Sequence, residues 1–371
     1  MKVGILTFHN SLNYGSVLQS FALQKYIETE FNYDVEIIDY VPRKKNVVNT
    51  LFENKHGLKG IVKNFIKLSL WQLYKARKKN FLLFQEKYLR LSSPKYTDEN
   101  INCISDKYDV LITGSDQIWN AGCLDFSWVY VLRNIAAAKK IAYAPSIGSY
   151  VYDGKNKNIF QKCLEDYDFI SVRENLGKKQ ISSILPDKNI AAVSDPTLLL
   201  SKKHYETFLP LSNLKTSKYI FLYMINMEYP YIELAVKISK TLNLKIITVI
   251  SSPESFRLLK YPYIKFAKEE SPVDFLNYIN NAELVLANSF HGTVFSILFR
   301  KKFFALCDLS KDSRINTLLE NLDLKQRAIG IQNCDENLLK ESINYNDVEK
   351  KLKKYSDVGK EFLRNSLSNW T

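Results

Sequence analysis

Short apolar runs alternate with helix-like segments along most of this chain, and this alternation restricts the possible folds more than any other feature. The run Lys2–Thr7 has the length of a strand, residues 15–30 place apolar side chains on one helical face, and Asp34–Tyr40 is the next apolar run. A strand, a helix and a strand in this order form a β-α-β unit with parallel strands. The first 40 residues therefore predict a parallel sheet.

The alternation continues beyond residue 100 and resumes after a polar stretch at residues 200–217. The further strand-like runs are Asp109–Thr113, Lys140–Ala144, Asp168–Val172, Asn189–Ser194, Tyr219–Met224, Lys245–Ile250, Glu283–Ala287 and Lys302–Cys307. Apolar strands of this kind are typical of sheets that helices cover on both faces. We therefore predict an α/β fold with two Rossmann-like domains, residues 1–205 and 206–345, facing each other across a cleft. Residues 346–371 form a charged helix that we expect to pack back on the first domain.

The net charge of +13 is concentrated in one segment of the first domain. Between Lys55 and Arg90 there are ten basic residues and one acidic residue, Glu86. Because the rest of the chain is nearly balanced, the charge favours a local anionic contact and argues against a general nucleic-acid binder. We predict that residues 50–95 form a helical basic insertion in the first domain.

Lysines recur at a helical spacing within this insertion. Lys55, Lys59, Lys63 and Lys67 are four residues apart, and apolar side chains lie beside them in the sequence. A helix of this composition can lie on the anionic inner leaflet of a membrane. A helix packed on the domain, with its lysines in solvent, explains the same spacing equally well. Both interpretations remain open at the level of the sequence.

The location and the metal content can also be predicted from composition. No apolar stretch reaches the roughly 18 residues of a membrane-spanning helix, and the start MKVGILTFHN lacks the organisation of a signal peptide. We therefore expect a cytoplasmic protein.

The five cysteines are odd in number and include no CxxC pair, which argues against a disulfide framework and against a structural zinc site. We predict no metal site.

The segment Ala287–Thr293 joins an apolar run to a helical pattern, and it is the most informative local feature of the sequence. The free N–H groups and the dipole of a helix start attract an anion. Ser289 and Thr293 can donate hydrogen bonds, and Gly292 allows a ligand to approach the backbone. His291 can exchange a proton near neutral pH. The alternative is a capping turn whose histidine bonds a backbone carbonyl.

A second polar segment, residues 113–120, follows the strand-like run that ends at Thr113. Asp116, Gln117 and Asn120 offer polar groups to sugar hydroxyls, and the ring of Trp119 could cover the apolar face of a sugar. Asp116 could also act as a general base on a hydroxyl group. The alternative is an aspartate cap with Trp119 in the core.

A third segment, residues 10–16, lies between the first strand and the first helix. Asn13 and Gly15 suit a tight turn that opens a helix, and Tyr14 lies between them. The segment matches neither the GxGxxG fingerprint of dinucleotide-binding proteins nor a Walker loop. By itself it predicts a helix cap more strongly than a binding loop, and we include Asn13, Tyr14 and Gly15 among the candidate substrate-binding residues.

Two arginines stand where an anion could bind. Arg173 closes a predicted strand, and Arg314 stands at a predicted helix start. A guanidinium group binds carboxylates and phosphates in a two-pronged geometry. A surface pair of Arg173 with Glu174 is the alternative. Asp195 also ends a strand, before Pro196, and we expect it to be structural.

Taken together, these segments resemble the polysaccharide pyruvyl transferase family. The matching stretches occur in family order over about 300 residues: NYGSVLQSFAL at 13–23, DVLITGSDQIWN at 109–120, IAYAPSIGS at 141–149, ISVRE at 170–174, SDPTLL at 194–199 and NSFHGTVFSILF at 288–299. The resemblance implies a fold similar to GT-B glycosyltransferases. The insertion at 50–95 is not part of the family pattern. The stretch Arg300-Lys301-Lys302 carries more basic residues than the family pattern leads us to expect there.

The resemblance also implies an activity. A member of the family would transfer a pyruvyl group from phosphoenolpyruvate to two hydroxyls of a sugar, forming a cyclic ketal on a cell-surface polysaccharide (exopolysaccharide) or on its lipid-linked precursor. It would need no cofactor besides phosphoenolpyruvate as donor substrate. The family's histidine falls on His291, its arginine on Arg173 and its acidic loop on Asp116 and Gln117. We expect the first domain to bind the acceptor and the second to bind the donor.

Two other functions are compatible with these segments. A GT-B glycosyltransferase that uses a nucleotide sugar would need the same fold and similar sugar-binding groups. A non-catalytic protein that binds a polysaccharide or an anionic membrane surface would share the basic insertion. The first alternative predicts transfer of a whole sugar, and the second predicts binding without phosphate release.

Overall fold

The structure is a computed structural model. It describes residues 1–42, 71–105, 107–137, 139–212, 218–310, 312–331 and 338–368. These residues form two parallel sheets of six strands each, with helices on their faces. The α/β fold with two Rossmann-like domains predicted from the sequence is therefore confirmed.

The first sheet comes from the first half of the chain. Its strands are β1 (Lys2–Leu6), β2 (Asp34–Ile37), β3 (Val110–Thr113), β4 (Lys139–Ala142), β5 (Phe169–Val172) and β6 (Ile190–Ala192), in the spatial order β2-β1-β3-β4-β5-β6. The strand order reverses direction between β1 and β3, where β1 pairs with both β2 and β3. Ligands bind at such a switch point, beyond the carboxyl ends of the strands.

The second sheet repeats this plan. Its strands are β7 (Tyr219–Tyr223), β8 (Lys245–Thr248), β9 (Ile264–Phe266), β10 (Leu284–Ala287), β11 (Phe303–Leu306) and β12 (Ala328–Ile329), in the order β12-β11-β10-β7-β8-β9. Here the order reverses between β7 and β10, which pair with each other. Ser289 and His291 follow β10, so they also lie at a switch point.

Helices complete the two domains. The helices of the first half are α1 (Tyr14–Phe31), α2 (Trp71–Tyr88), α3 (Gly154–Glu165), α4 (Asn175–Ile184) and α5 (Lys202–Phe208). Those of the second half are α6 (Tyr229–Leu242), α7 (Pro272–Asn281), α8 (Phe290–Leu298), α9 (Ser313–Asn321) and α10 (Tyr345–Ser368). None of the helices in the described parts of the chain is long and apolar enough to cross a membrane.

One apolar core is shared by the two domains. Tyr14 of α1 stacks on Phe275 of α7, with ring centroids 4.6 Å apart and planes 10° apart. Tyr205 of α5 packs between Phe21 and Phe295, with centroid distances of 6.4 and 5.3 Å. This shared core holds the carboxyl edges of the two sheets close to each other.

The C-terminal helix α10 contacts the first domain. Leu363 and Leu367 are fully buried in the shared core. Gly359 lies so close to the first domain that an added Cβ would be 2.4 Å from the Tyr143 hydroxyl. At the surface, Arg364 pairs with Glu30 at 3.1 Å.

The predicted basic insertion is described only in part. Residues 43–70, which include Lys55, Lys59, Lys63 and Lys67, lie outside the described residues. The described remainder contains α2. Its inner face buries Arg77, Phe81 and Phe84, while lysines and two leucines on other faces are exposed.

Candidate active site

Four charged or titratable side chains from both domains meet at the facing sheet edges. Asp116 follows β3, Arg173 follows β5 and Asp195 follows β6, whereas His291 lies in the first turn of α8. All four are at least nine-tenths buried. Parallel strands direct their carboxyl ends to one edge, so residues distant in sequence become neighbours there.

Arg173 lies in the middle of this group. Its Nη1 donates a hydrogen bond of 2.6 Å to Asp195 Oδ2, and its Nη2 lies 3.6 Å from Asp116 Oδ1. Its guanidinium carbon lies 4.7 Å from the centre of the Phe290 ring. Within the described residues, Nε and Nη2 have no hydrogen-bond partner. Since buried N–H groups are nearly always bonded, these two donors are suited to a bound anion.

Asp195 connects the two domains. Its Oδ1 accepts hydrogen bonds from the Thr197 amide at 2.9 Å and from the Thr197 hydroxyl at 2.6 Å. Its Oδ2, which binds Arg173, also lies 3.4 Å from Nε2 of His291 in the second domain. Burial by itself would raise the pKa of Asp195, but His291, Arg173 and Thr197 hold it well below its usual value. Asp195 is therefore a carboxylate at neutral pH.

The imidazole of His291 rests on the start of α1. A Cβ placed on Gly15 would be 2.0 Å from Nδ1 of His291, so the ring occupies the space that any side chain at position 15 would need. Nε2 of His291 has no hydrogen-bond partner in the described parts of the chain, although Asp195 is close. The side chain of His291 is 8% exposed. The ring therefore lies between two helix starts and a carboxylate.

Asp116 is held in an unusual backbone conformation. Its φ of 67° lies in the left-handed region, which is rare for residues other than glycine and clusters at functional sites. Its side chain accepts hydrogen bonds from the Ser16 hydroxyl and from the Gln117 amide. Burial would raise its pKa, yet Arg173, His291 and Ser16 hold the pKa below its ordinary value. Asp116 is a second carboxylate at neutral pH.

Glu174 adds a third acidic group beside this cluster. Its Oε1 accepts hydrogen bonds from the Ser146 hydroxyl at 2.9 Å and from the Ile147 amide at 3.0 Å. Oε2 is buried and has no partner among the described residues. Burial raises the pKa of Glu174, which Arg173 and Ser146 only partly offset. The site thus combines a guanidinium, an imidazole and carboxyl groups of differing acidity, a set suited to anion binding and proton transfer.

A family model for polysaccharide pyruvyl transferases matches residues 13–306, which span the elements from α1 to β11. The chain belongs to the polysaccharide pyruvyl transferase family. All four residues of the cluster lie within the matched range. A comparison with curated protein sequences gives no match.

Solved structures with a similar fold include several sugar-nucleotide epimerases. The UDP-GlcNAc 2-epimerase from Methanocaldococcus jannaschii has a TM-score of 0.53 at 14% identity, with all of both chains covered. A putative UDP-N-acetylglucosamine 2-epimerase from Listeria monocytogenes has a TM-score of 0.53 at 10% identity, covering 100% of this chain and 97% of that one. At these identities the likeness shows the fold alone, and it agrees with two Rossmann-like domains.

In this member of the pyruvyl transferase family, the residues at the start of α8 mainly cap the helix and pack it on the sheet. Ser289 caps α8 by accepting from the Gly292 amide at 3.5 Å, and the Thr293 hydroxyl donates to the Ser289 carbonyl at 3.1 Å. A Cβ at Gly292 would be 2.8 Å from the Ala287 Cβ and 3.0 Å from the Tyr223 ring. The expectation that Gly292 admits a ligand is therefore corrected: it allows α8 to pack on the sheet.

The loop after β3 also differs from the sequence-based expectation. Trp119 is fully buried, its indole N–H donates to the Tyr130 carbonyl at 3.0 Å, and Phe160 contacts it edge-on. The prediction that this ring covers a sugar is corrected, since the indole belongs to the core. Gln117 and Asn120 are half-buried and bond each other at 2.9 Å.

The remaining predicted site residues lie around the cluster. Asn13 caps α1 by accepting from the Gly15 amide at 2.9 Å. Tyr14 is fully buried and donates to Glu270 at 3.2 Å, so its predicted contact with substrate is corrected to an interdomain contact. Arg314 pairs with Asp312 at 3.4 Å, and its side chain is 23% exposed.

Sequence reasoning missed three groups of the site. It treated Asp195 as structural, it considered Glu174 only in the alternative of a surface pair with Arg173, and it gave Ser16 no role. Asp195 and Glu174 follow strands, and Ser16 lies in the first turn of α1, so attention to every strand end and helix start at this edge would have found them. Across the described ranges, no group of three or more His, Cys, Asp or Glu side chains could hold a metal ion.

Proposed function

We propose that this protein transfers a pyruvyl group from phosphoenolpyruvate to two hydroxyls of one sugar, within a cell-surface polysaccharide or its lipid-linked precursor. The family supports pyruvyl transfer. The observation that supports this donor most directly is the buried Arg173, whose Nε and Nη2 donors have no hydrogen-bond partner among the described residues. Nη2 lies near Asp116, and Arg173 and His291 both approach Oδ2 of Asp195. Phosphoenolpyruvate carries a phosphate and a carboxylate, the two groups that a guanidinium binds best.

The first step joins a sugar oxygen to the donor. A proton is added to the methylene carbon of phosphoenolpyruvate, and a sugar hydroxyl attacks the neighbouring carbon, so that a C–O bond forms and the C=C bond is lost. We assign the proton donation to His291, since an imidazole can carry a proton near neutral pH. Asp116 accepts the proton of the attacking hydroxyl. The product is a tetrahedral adduct that still carries phosphate.

The second step closes the ketal. The bond between carbon and the phosphate oxygen breaks, and a second hydroxyl of the same sugar attacks the same carbon. The proton of this hydroxyl leaves with the phosphate, so one inorganic phosphate is released for each ketal. Arg173 stabilises the charge on the departing phosphate. No oxidant or reductant is needed in either step.

The test measures phosphate release and product mass in one reaction. The protein is mixed with phosphoenolpyruvate and candidate sugar acceptors, and an Arg173→Met variant serves as the comparison. We expect equimolar phosphate and an acceptor that gains one carboxyethylidene group in place of two hydroxyl hydrogens, with turnover greatly reduced in the variant. A gain of a hexose unit from a nucleotide sugar would instead support a glycosyltransferase. Sugar binding with no phosphate release under any condition would support a non-catalytic protein.

We further propose that the enzyme works in the cytoplasm at the inner face of the membrane. Helix α2 exposes Lys78 and Lys79 next to Leu82 and Leu83, which are 45% and 49% exposed. Lysines beside exposed apolar side chains suit a surface of anionic lipid. This placement would bring the enzyme to a lipid-linked acceptor.

Liposome sedimentation tests this membrane contact. The variant Lys78→Glu, Lys79→Glu, Leu82→Ser and Leu83→Ser should bind vesicles of phosphatidylglycerol and phosphatidylcholine more weakly than the wild type, because charge attraction and apolar burial are both lost. The matched control is Lys353→Glu with Lys354→Glu on exposed positions of α10. Equal sedimentation of wild type and α2 variant would show that α2 does not contact the membrane.

A further inference from the structure

A cavity separate from the Arg173 cluster lies at the carboxyl edge of the second sheet. Its volume is about 700 Å³, large enough for more than one sugar ring. The polar side chains around it include Asn226, Glu228, Tyr231, Asp308 and Asp312. None of these residues takes part in the cluster around Arg173. The mechanism proposed above leaves this cavity without a use.

Tyr231 provides the first sign that the cavity binds a ligand. The residue is only 6% exposed, and its hydroxyl makes no hydrogen bond within the described residues. Burial raises its pKa, and so do the nearby Cys307 and Glu228, both of which line the cavity. Tyr231 lines the cavity, so its hydroxyl is available there to exchange hydrogen bonds with a ligand.

The charges around the cavity indicate the chemical class of ligand. Glu228 is exposed and makes no capping hydrogen bond at the start of α6, and Asp308 and Asp312 also line the cavity. Arg314 is a cation beside this wall, and it is paired with Asp312 at 3.4 Å. Carboxylates repel phosphates and accept hydrogen bonds from hydroxyl groups. The polar wall is therefore suited to a neutral polyol and unsuited to a diphosphate or to phosphoenolpyruvate.

Apolar side chains complete the lining. Leu306, Leu309 and Ala328 lie among the polar groups. A sugar ring has the same mixed character, with hydroxyls at its edge and C–H groups on its faces. Small-molecule sites generally combine apolar walls with a few placed polar groups.

The cavity is joined to the candidate active site by Asn288. Its Oδ1 accepts from the Ile225 amide at 2.7 Å, and its Nδ2 donates to the Asn226 carbonyl at 2.7 Å. These bonds fix the loop after β7 to the end of β10. Asn288 directly precedes Ser289, which caps the helix that carries His291. The cavity and the imidazole therefore lie on the same edge of the second sheet.

We propose that this cavity binds a neutral sugar unit of the acceptor, held through Tyr231, Glu228 and Asn226. The proposal rests on the proposed function, because it takes the acceptor to be a sugar. It assigns the acceptor to the second domain, which reverses the assignment expected from the sequence. The acceptor hydroxyls would then extend from the second domain toward Asp116 of the first.

Saturation-transfer NMR on the full chain tests the proposal. The probes are the methyl glycosides of glucose, galactose, mannose and N-acetylglucosamine, with UDP and phosphoenolpyruvate added as competitors. We expect at least one glycoside to bind, and Tyr231→Phe or Glu228→Gln to weaken it about fivefold or more, as for the loss of one hydrogen bond. Neither competitor should displace it. The matched controls, Tyr229→Phe and Glu233→Gln on exposed positions of the same helix, should bind like the wild type.

Three results would overturn the assignment: no glycoside bound by the wild type, unchanged binding in both cavity variants, or displacement of the glycoside by UDP. The last result would identify a nucleotide site. Phosphate release from phosphoenolpyruvate is measured on the same samples. Glycoside binding that depends on Tyr231 without any phosphate release would refute pyruvyl transfer and leave the sugar site intact. Phosphate release with unchanged binding in the variants would refute the sugar site alone.

Discussion

At the residue scale, the position of His291 depends on side chains and backbone from the other domain. Gly15 leaves room for the imidazole on the start of α1, and Asp195 lies 3.4 Å from Nε2. Arg173 shares the same carboxylate oxygen at 2.6 Å. The imidazole and the guanidinium are therefore placed relative to each other by one first-domain carboxylate.

Replacing Gly15 by alanine should disturb this arrangement. The new Cβ would be 2.0 Å from Nδ1 of His291, so the ring has to move. A displacement of about 1 Å at a catalytic group can cost ~10²-fold in rate, and we expect a loss of that order in phosphate release. The control is Gly122→Ala on an exposed loop, where the nearest side-chain atom is 3.2 Å away. A Gly15→Ala enzyme with wild-type turnover would show that His291 does not need this position.

Replacing His291 by alanine tests its proposed role in proton transfer. Removal of a general acid typically lowers turnover by roughly 10²–10⁴-fold, and we expect phosphate release to fall within that range. His204→Ala, on the exposed surface of α5, should keep turnover near the wild-type level. Turnover in the His291 variant close to that of the control would remove His291 from the mechanism.

At the element scale, α10 closes the first domain although it comes last in the chain. Leu363 is fully buried in the core shared by the domains, whereas Val358 is 46% exposed on the same helix. Gly359 lies against Tyr143 and against Ser194, the residue that precedes Asp195. The helix therefore supports the loop that positions the candidate site.

Truncating Leu363 to alanine should destabilise the protein by about 2–5 kcal/mol, the usual cost of a buried leucine side chain and its cavity. Val358→Ala is the matched control and should change the free energy of unfolding by no more than about 0.5 kcal/mol. Urea unfolding followed by circular dichroism measures both. Equal effects of the two substitutions would show that α10 is not packed on the core in solution.

At the scale of the whole molecule, a buried contact between an arginine and a glutamate joins the two domains on the side of α2. Arg77 Nε lies 3.5 Å from Glu270 Oε2, and Tyr14 donates to the same oxygen at 3.2 Å. Glu270 also accepts from the Ile250 amide at 2.9 Å. Burial raises the pKa of Glu270 to about 7, although Arg77, the amide and Tyr14 act in the opposite direction.

This raised pKa predicts how stability changes with pH. Folding favours the protonated carboxyl, so the contribution of Glu270 is fully present below its ordinary pKa of 4.5 and is lost as the pH rises to about 7. Relative to Glu270→Gln, which does not titrate, the wild type should lose about 3 kcal/mol over this range. Urea unfolding of both proteins at pH 5 and pH 8 measures the difference. Glu269→Gln, its exposed neighbour, should behave like the wild type, and a constant gap between wild type and Glu270→Gln would contradict the prediction.

Much of the fold could be predicted from the sequence, because its strands are short apolar runs at regular intervals. The exceptions have local causes. Strands β9 and β12 have three and two residues, too few to show a pattern. Helix α3 buries only Phe160 and Leu164, so its apolar face is narrow.

The candidate site could be predicted in part, since Asp116, Arg173 and His291 each follow a strand or start a helix at one sheet edge. The directions in which individual side chains point could not be predicted from the sequence. Tyr14 and Trp119 carry polar groups and stand in polar stretches of the sequence, yet both point into apolar cores formed by residues far away in the chain. Their orientation depends on packing rather than on neighbouring residues.

The sequence by itself determined the two α/β domains and the polar segments after their strands, because strand and helix patterns and helix capping depend on residues close together in the chain. Only the tertiary structure decided that Asp195 meets His291, that Arg77 meets Glu270 and that a cavity forms beside Asn288. These contacts join residues of different domains or loops. They exist because a shared apolar core holds the two sheet edges together, and no local pattern encodes that packing.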